Sequence, residues 1–418
     1  MDPQVRTFLY QFFGGLAAVP AYAFMTLKGR FGTRWADRLG FPLAGGQNPL
    51  WFHAASVGEA QSALTVIRSV ADILPLTRYV LSVGTPAGLK RAEDLIGSEP
   101  GIQLMAPPLD FFGAPGRSLD RVGPRALIIV ETEIWPELIG QAYKREIPVM
   151  VVAGRMSQKS YQRYMKVRSF LKPLMEKLSL VAAVSPEARE RFLDLGTPFN
   201  KTVCLGNPKF DSLRPANLDT ALTIERPLGR KIIVAGSTEG REEDLIVSAW
   251  REQGGPKPFL LLAPRHLGRV PAILDSIKSQ GLPVRLYSEN RNFNWPEEPD
   301  IIIIDELGLL ARLYALADLA LIGGSFYRGQ GHNPLEPAVF GCPIVFGPYM
   351  SSFREQALEL ETVGAAKTVL PSELSGTLAR WLARREAFLA GLAGRELLAA
   401  RPAVGPGLAA LIGQTLSP

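Results

Sequence analysis

Six short polar stretches, each placed just after a run of apolar residues, hold most of the groups in this chain that are able to do chemistry. In WFHAASVGEA (51–60), Ser56 and Gly58 mark a tight strand-to-helix turn and put Glu59 in the first helical turn. A carboxylate there reads either as a helix cap at the positive end of the dipole or as a general base tuned toward neutrality by burial. ETEIWP (131–136) sets Glu131 and Glu133 at the mouth of the apolar run ALIIV. In extended chain, residues i and i+2 face the same way. The pair therefore reads as sugar-binding or as holding another catalytic group, against a bland reading as local caps. GNPKFD (206–211) presents the Lys209 ammonium, which equally fits an ordinary surface lysine.

The second half carries the other three. AGSTEGREE (235–243) is a Gly-Ser-Thr turn opening a helix, whose free N–H groups suit an anion. APRH (263–266) places Arg265 and His266 directly after FLLLA, and the forked donors of an arginine suit a phosphate. GGSFYRGQGHNPLEPAVFGCPIVFGP (323–348) has glycines for close backbone approach, and its Asn333-Pro334 opens a helix with Glu336 in the first turn. A carboxylate so placed can accept two ribose hydroxyls while helix N–H groups face phosphate. His332 reads as a hydrogen-bonding group of this loop. The expectation is a nucleotide-activated donor bound mainly by the C-terminal half, with its acceptor against the N-terminal half.

The elements that must position these groups follow from the apolar runs. Strands are expected at 50–54, 78–83, 126–130, 148–152 and 180–184, then at 231–235, 259–263, 283–287, 300–304, 319–322 and 343–346. Helical patterns lie between them, notably 59–73, 135–146, 157–177, 186–195, 240–252, 268–280, 308–317, 334–341, 353–360 and 371–392. Apolar strands alternating with helices predict parallel sheets covered on both faces. The fold class is α/β, with two facing doubly wound Rossmann-like domains and ligands in a cleft at the strand C-termini. No G-x-G-x-x-G follows the first strand of either half and no G-x-x-x-x-G-K-[ST] occurs, against a dinucleotide oxidoreductase and a P-loop ATPase.

Cys204 and Cys342 are too few for a disulfide framework or a Cys-rich metal site, and His53, His266 and His332 are too dispersed for a local zinc motif. No metal and no cofactor are expected. The net charge of +6 over 418 residues gives no reason to expect nucleic acid. Residues 8–27 form an uncharged apolar stretch followed by Lys28, Arg30, Arg34 and Arg38. That pattern predicts membrane association, as a span or as a helix lying in the interface, with the basic flank on the cytoplasmic side. The predicted division is a membrane-associated segment (1–28), an acceptor-side α/β domain (29–214), a linker (215–230), a donor domain (231–400) and a C-terminal tail (401–418).

The chain resembles the bacterial 3-deoxy-D-manno-octulosonic acid (Kdo) transferases of lipopolysaccharide assembly. The resemblance runs through RWADRLG (34–40), HAASVGE (53–59), ETEIWP, GNPKFD, GST with GREE (236–243), APRH and GGSFYRGQGHNPLE (323–336), in order. It implies a GT-B fold and inverting, metal-independent transfer of Kdo from CMP-Kdo to the 6'-hydroxyl of lipid IVA. The implied place is the cytoplasmic face of the inner membrane, with the lipid surface as a partner. It further implies that Glu59 is the general base and that Glu131 and Lys209 support the transition state. Pro264 and Arg265, Leu307-Gly308-Leu309, and Asn333-Pro334-Leu335-Glu336 would contact CMP. Three departures accompany it: Ala153-Gly154-Arg155 where the family often has Asn-Ala-Arg, Leu309 where it often has Glu, and Ser237-Thr238-Glu239-Gly240, without a histidine, where it has Ser-Thr-His-Glu-Gly.

Overall fold

The computed structural model describes residues 34–213 and 229–416, apart from 44, 45, 47, 76, 98, 100, 112, 292, 294, 296–299 and 383. The expected apolar segment at 8–27 and most of the expected linker lie outside the described residues. Among the described residues, no helix is long and apolar enough to cross a membrane. They divide into two compact units: those up to Ser212 together with those from Ala403 onward, and Leu213–Pro402.

The first unit is built on seven parallel strands, β1 (Leu50–Ala54), β2 (Tyr79–Val83), β3 (Ile102–Met105), β4 (Ala126–Val130), β5 (Val149–Gly154), β6 (Leu180–Ala183) and β7 (Thr202–Cys204). Their order is β3-β2-β1-β4-β5-β6-β7. Side-chain alternation divides strands β1 to β6 between two cores. On β4, Ala126, Ile128 and Val130 enter one core, while Leu127 and Ile129 enter the other. Both faces are therefore dry, which is why ALIIV carries no polar residue. The second unit repeats the plan with β8 (Ile232–Thr238), β9 (Phe259–Pro264), β10 (Val284–Leu286), β11 (Ile301–Ile303), β12 (Leu319–Ile322), β13 (Ile344–Phe346) and β14 (Ala366–Thr368). Here the order is β10-β11-β9-β8-β12-β13-β14, all parallel.

Three differences from the sequence reading have local causes. The expected helix 157–177 is two helices, Gln158–Lys166 and Arg168–Met175, parted at Val167, whose backbone leaves the helical region (φ −116°, ψ 20°). The expected helix 371–392 likewise separates into Leu374–Trp381 and Arg384–Ala399. Residues 401–418, set apart as a tail, instead contain the helix Val404–Leu416, which belongs to the first unit. Its Leu408, Ala409 and Ile412 enter the same core as Leu64 and Ile67 of helix Val57–Ile73. Asp211 fixes its start by accepting the Val404 and Gly405 N–H groups at 3.1 and 2.6 Å. Gly405 packs closely there: a Cβ would stand 2.2 Å from Ser69 Oγ and 3.1 Å from Asp211 Oδ2.

Candidate active site

In the first sheet, the strand order reverses direction between β1 and β4, the place where open α/β sheets bind ligands. Glu59 follows β1 and Glu131 follows β4. Ser56 caps helix Val57–Ile73 and accepts the Glu59 N–H at 3.3 Å, while its hydroxyl donates to Glu59 Oε1 at 2.9 Å. The Ala55 N–H donates to Glu59 Oε2 at 2.6 Å. The capping geometry is thus real, yet it does not exclude a role as base. Burial pushes the Glu59 carboxyl above its ordinary range against the Ala55 hydrogen bond, and the negative charges of Glu131 and Glu133 add to the push.

Glu131 leaves the strand in the left-handed region (φ 64°), an uncommon conformation for a residue bearing a Cβ. The turn, and not the extended geometry expected from i,i+2 spacing, brings its carboxylate to the neighbouring acids. Lys209 Nζ donates to Glu131 Oε1 at 2.6 Å, and Arg155 Nε lies 4.0 Å from Oε2. A Cβ on Gly58 would stand 3.4 Å from Lys209 Nζ. Glu59, Glu131 and Lys209 are therefore brought together. Glu133 is held by the Trp135 indole N–H at 2.7 Å, and burial raises its carboxyl.

RWADRLG supports this cluster from below. Arg38 is buried and donates to the Gly84 carbonyl at 3.1 Å. Gly84 packs so closely on Ala55 that a Cβ would meet the Ala55 carbonyl oxygen at 2.9 Å. Asp37 accepts the Ala106 N–H at 3.0 Å. His53 belongs to the strand expected at 50–54. It lies within β1 and is fully buried, with Nδ1 3.0 Å from Ser82 Oγ and its ring edge-on to Trp135.

In the second sheet the reversal falls between β8 and β12. Pro264 ends β9 and is buried, while the Arg265 side chain after it is exposed. Leu307 and Gly308 are exposed in the turn after β11, Gly308 at φ 86°, and Leu309 caps the short helix Leu310–Tyr314. Asn333 accepts the Leu335 N–H at 3.1 Å and donates to Glu336 at 3.3 Å. Burial raises the Glu336 carboxyl above its ordinary range. These residues all follow strands of one parallel sheet and so share its C-terminal edge.

Sequence reasoning missed the residue that shapes this edge. The expected anion turn at 235–243 is filled from within by Glu242, which is 1% exposed. Its Oε2 accepts the Gly324 and Glu239 N–H groups at 2.7 and 2.8 Å, and its Oε1 accepts those of Ser325 and Phe326, both at 2.9 Å. The only sequence signal was the acidic pair in GREE. The second acid, Glu243, takes a two-pronged bond from Arg269, both distances 2.9 Å, and the Thr238 hydroxyl at 2.6 Å. Glu239 pairs with His332 at 3.0 Å. Ala153 stands in the left-handed region (φ 52°), which asparagine enters more readily. Among the described residues, no group of three His, Cys, Asp or Glu side chains is arranged to hold a metal ion.

Two parallel doubly wound units with polar clusters at their switch points define the GT-B fold of glycosyltransferases. Solved structures share it: UDP-GlcNAc 2-epimerase from Neisseria meningitidis bound to UDP-GlcNAc superposes at a TM-score of 0.58, with 12% identity, over 88% of this chain and 99% of that one. MurG from Acinetobacter baumannii gives 0.53, with 14% identity, over 88% and 100%. The family model described as 3-deoxy-D-manno-octulosonic-acid transferase (kdotransferase) matches residues 33–212. The 3-deoxy-D-manno-octulosonic acid transferase of Haemophilus influenzae is 32% identical over 334 residues, 78% of this chain and 77% of that protein. The chain belongs to the Kdo transferase family.

Proposed function

We propose that this protein transfers Kdo from CMP-Kdo to the 6'-hydroxyl of lipid IVA, with inversion and without a metal ion, at the cytoplasmic face of the inner membrane. The observation that carries the reading is Glu59: a carboxylate fixed by two hydrogen bonds and raised in pKa by burial, beside the Lys209–Glu131 pair. In this reading the acceptor oxygen forms a bond to the anomeric carbon of Kdo and passes its proton to Glu59. The bond from that carbon to the phosphate oxygen breaks, and CMP departs with the electron pair. Lys209, held by Glu131, offsets negative charge at the reacting groups. The exposed Arg265 fork fits the single phosphate of CMP, and the half-buried Glu336 carboxylate, with Asn333 beside it, fits the ribose hydroxyls. Membrane attachment is ascribed to the apolar segment at 8–27 with its basic flank.

Incubation with CMP-Kdo and lipid IVA, followed by mass spectrometry, tests donor, acceptor and number of additions together. The expected result is free CMP and a glycolipid heavier by whole Kdo residues; a UDP-sugar accepted in place of CMP-Kdo would reject the donor. Glu59→Gln is expected to lower turnover about 10²–10⁴-fold, the range for losing a general base, while CMP-Kdo still binds. A base works only when ionised. The wild-type rate should therefore fall as pH drops through a pKa above the usual carboxylate range.

A further inference from the structure

The helix Arg384–Ala399 of the second unit carries small residues inward and large apolar residues outward, the reverse of an ordinary surface helix. Ala390, Gly391 and Gly394 are buried. A Cβ on Gly391 would strike the Gly341 carbonyl oxygen, and one on Gly394 would stand 3.2 Å from Ala365 Cβ and 3.5 Å from Ala338 Cβ. The helix backbone is thus seated directly on the helix Leu335–Val339 and the turn after it.

Its large side chains point the other way. Phe388 is 70% exposed, Leu389 54% and Leu392 42%. Arg385 and Glu396 are exposed as well, and neither side chain has a hydrogen-bond or ion-pair partner among the described residues. Arg385, Phe388, Leu389, Leu392 and Glu396 stand at i, i+3, i+4, i+7 and i+11, so they line one face. Three apolar side chains lie in the middle, with a cation at one end and an anion at the other.

That face is complementary to itself when reversed. Two copies packed antiparallel, about a two-fold axis level with the bond between Ala390 and Gly391, set Leu389 against Leu392 of the partner subunit. The same axis sets Arg385 against Glu396 of the partner subunit, and each contact occurs twice. Parallel pairing would instead oppose like charges at both ends. The charges of Arg385 and Glu396 cancel, which suits a second copy and gives no attraction to an anionic surface.

We propose that the outer face of helix Arg384–Ala399 joins two copies of this chain in an antiparallel two-fold dimer. A helix pair of this length, about 24 Å, makes a contact at the small end of interface sizes, below about 1,200 Å². Association is therefore reversible, with a Kd in roughly the micromolar range. No active-site residue takes part, so the dimer is independent of the transferase reading.

The test is sedimentation velocity of the full chain in detergent micelles, from roughly 1 to 100 μM, which brackets that Kd. Wild type should pass from monomer to dimer over this range. Arg385→Glu and Glu396→Arg each put like charges at both ends of the pair, and each alone should weaken association about tenfold or more. Mixed in equal amounts, the two variants should regain wild-type affinity, as should the double variant Arg385→Glu/Glu396→Arg. Leu392→Asp should leave a monomer. Unchanged thermal midpoints show that the variants are folded. A wild type that stays monomeric, single variants that associate like wild type, or a mixture no tighter than its parts overturns the proposal. So does association that survives Leu392→Asp, which would assign it to another part of the chain, such as residues 8–27.

Discussion

At 2.6 Å, the Lys209 ammonium and Glu131 carboxylate are bound closely enough to act as one group. Glu131 is 15% exposed, so removing Lys209 would leave a mostly buried charge whose one remaining ion-pair partner among the described residues is Arg155 at 4.0 Å. Lys209→Ala and Glu131→Gln should each lower kcat/KM about a hundredfold, near 2.7 kcal/mol, and the double variant should lose little more than either. Losses that multiply to about ten-thousandfold would show two independent roles. His53 supplies a separate test, in stability. Burial lowers its pKa from 6.5 to about 4, so the folded protein keeps it neutral where the unfolded chain takes up a proton. Its contribution is complete above pH 6.5 and is lost as pH falls toward 4. Between pH 7 and 5 the loss is on the order of 2 kcal/mol. Urea unfolding of wild type and His53→Gln at both pH values isolates it, because the buried glutamates titrate in both proteins. Equal pH slopes would reject the assignment.

At the scale of elements, the glycine-rich loop after β12 depends on a carboxylate more than eighty residues away in sequence. Glu242 accepts four backbone N–H groups, and glutamine in its place would point an NH₂ at two of them. A buried donor left facing a donor costs about 1–3 kcal/mol, more where a charged acceptor is lost. Glu242→Gln should therefore destabilise the second unit by about 3 kcal/mol and weaken CMP binding at least tenfold, with the acceptor KM unchanged. CMP titration by calorimetry checks this, and wild-type affinity would refute it. Such a bond is hard to read from sequence, since an acid in a first helical turn looks the same whether it caps its own helix or organises a distant loop. The strands divide along a similar line. Central ones such as β4 and β12 were readable because burial on both faces demands an unbroken apolar run. Ile102–Met105, Thr202–Cys204 and Ala366–Thr368 were not, because each is an edge strand with residues open to solvent. Glu59, Glu131 and Lys209 were readable as a group because each follows directly on an apolar run and their motifs resemble a family. What motifs could not convey was the left-handed turn at Glu131 that makes the cluster converge.

Taken whole, the molecule has a division of stability that chain order hides. Each unit has its own pair of cores, one on either face of its sheet. The helix Val404–Leu416 follows the second unit in sequence but is anchored in the first through Asp211 and the core around Leu64. A ligand that binds only folded protein stabilises the unit that binds it, by about 2.7 kcal/mol at a hundred times its Kd. If the nucleotide is held by Arg265 and Asn333–Glu336, CMP should slow hydrogen exchange in peptides from 229–402 and leave peptides from 34–212 nearly unchanged. The informative peptides are those covering 404–416. They should behave with the first unit, showing no protection by CMP, although they lie only a few residues beyond the helix Arg384–Ala399 of the second. Conversely, Asp211→Ala should speed exchange in 404–416 and in helix Val57–Ile73 together, and lower turnover through Glu59 while the Kd for CMP stays fixed. Protection of 404–416 by CMP, or equal protection of both units, would refute this division. The last helix would then be a part of the donor unit's stability, and not a brace behind the helix that carries the proposed base.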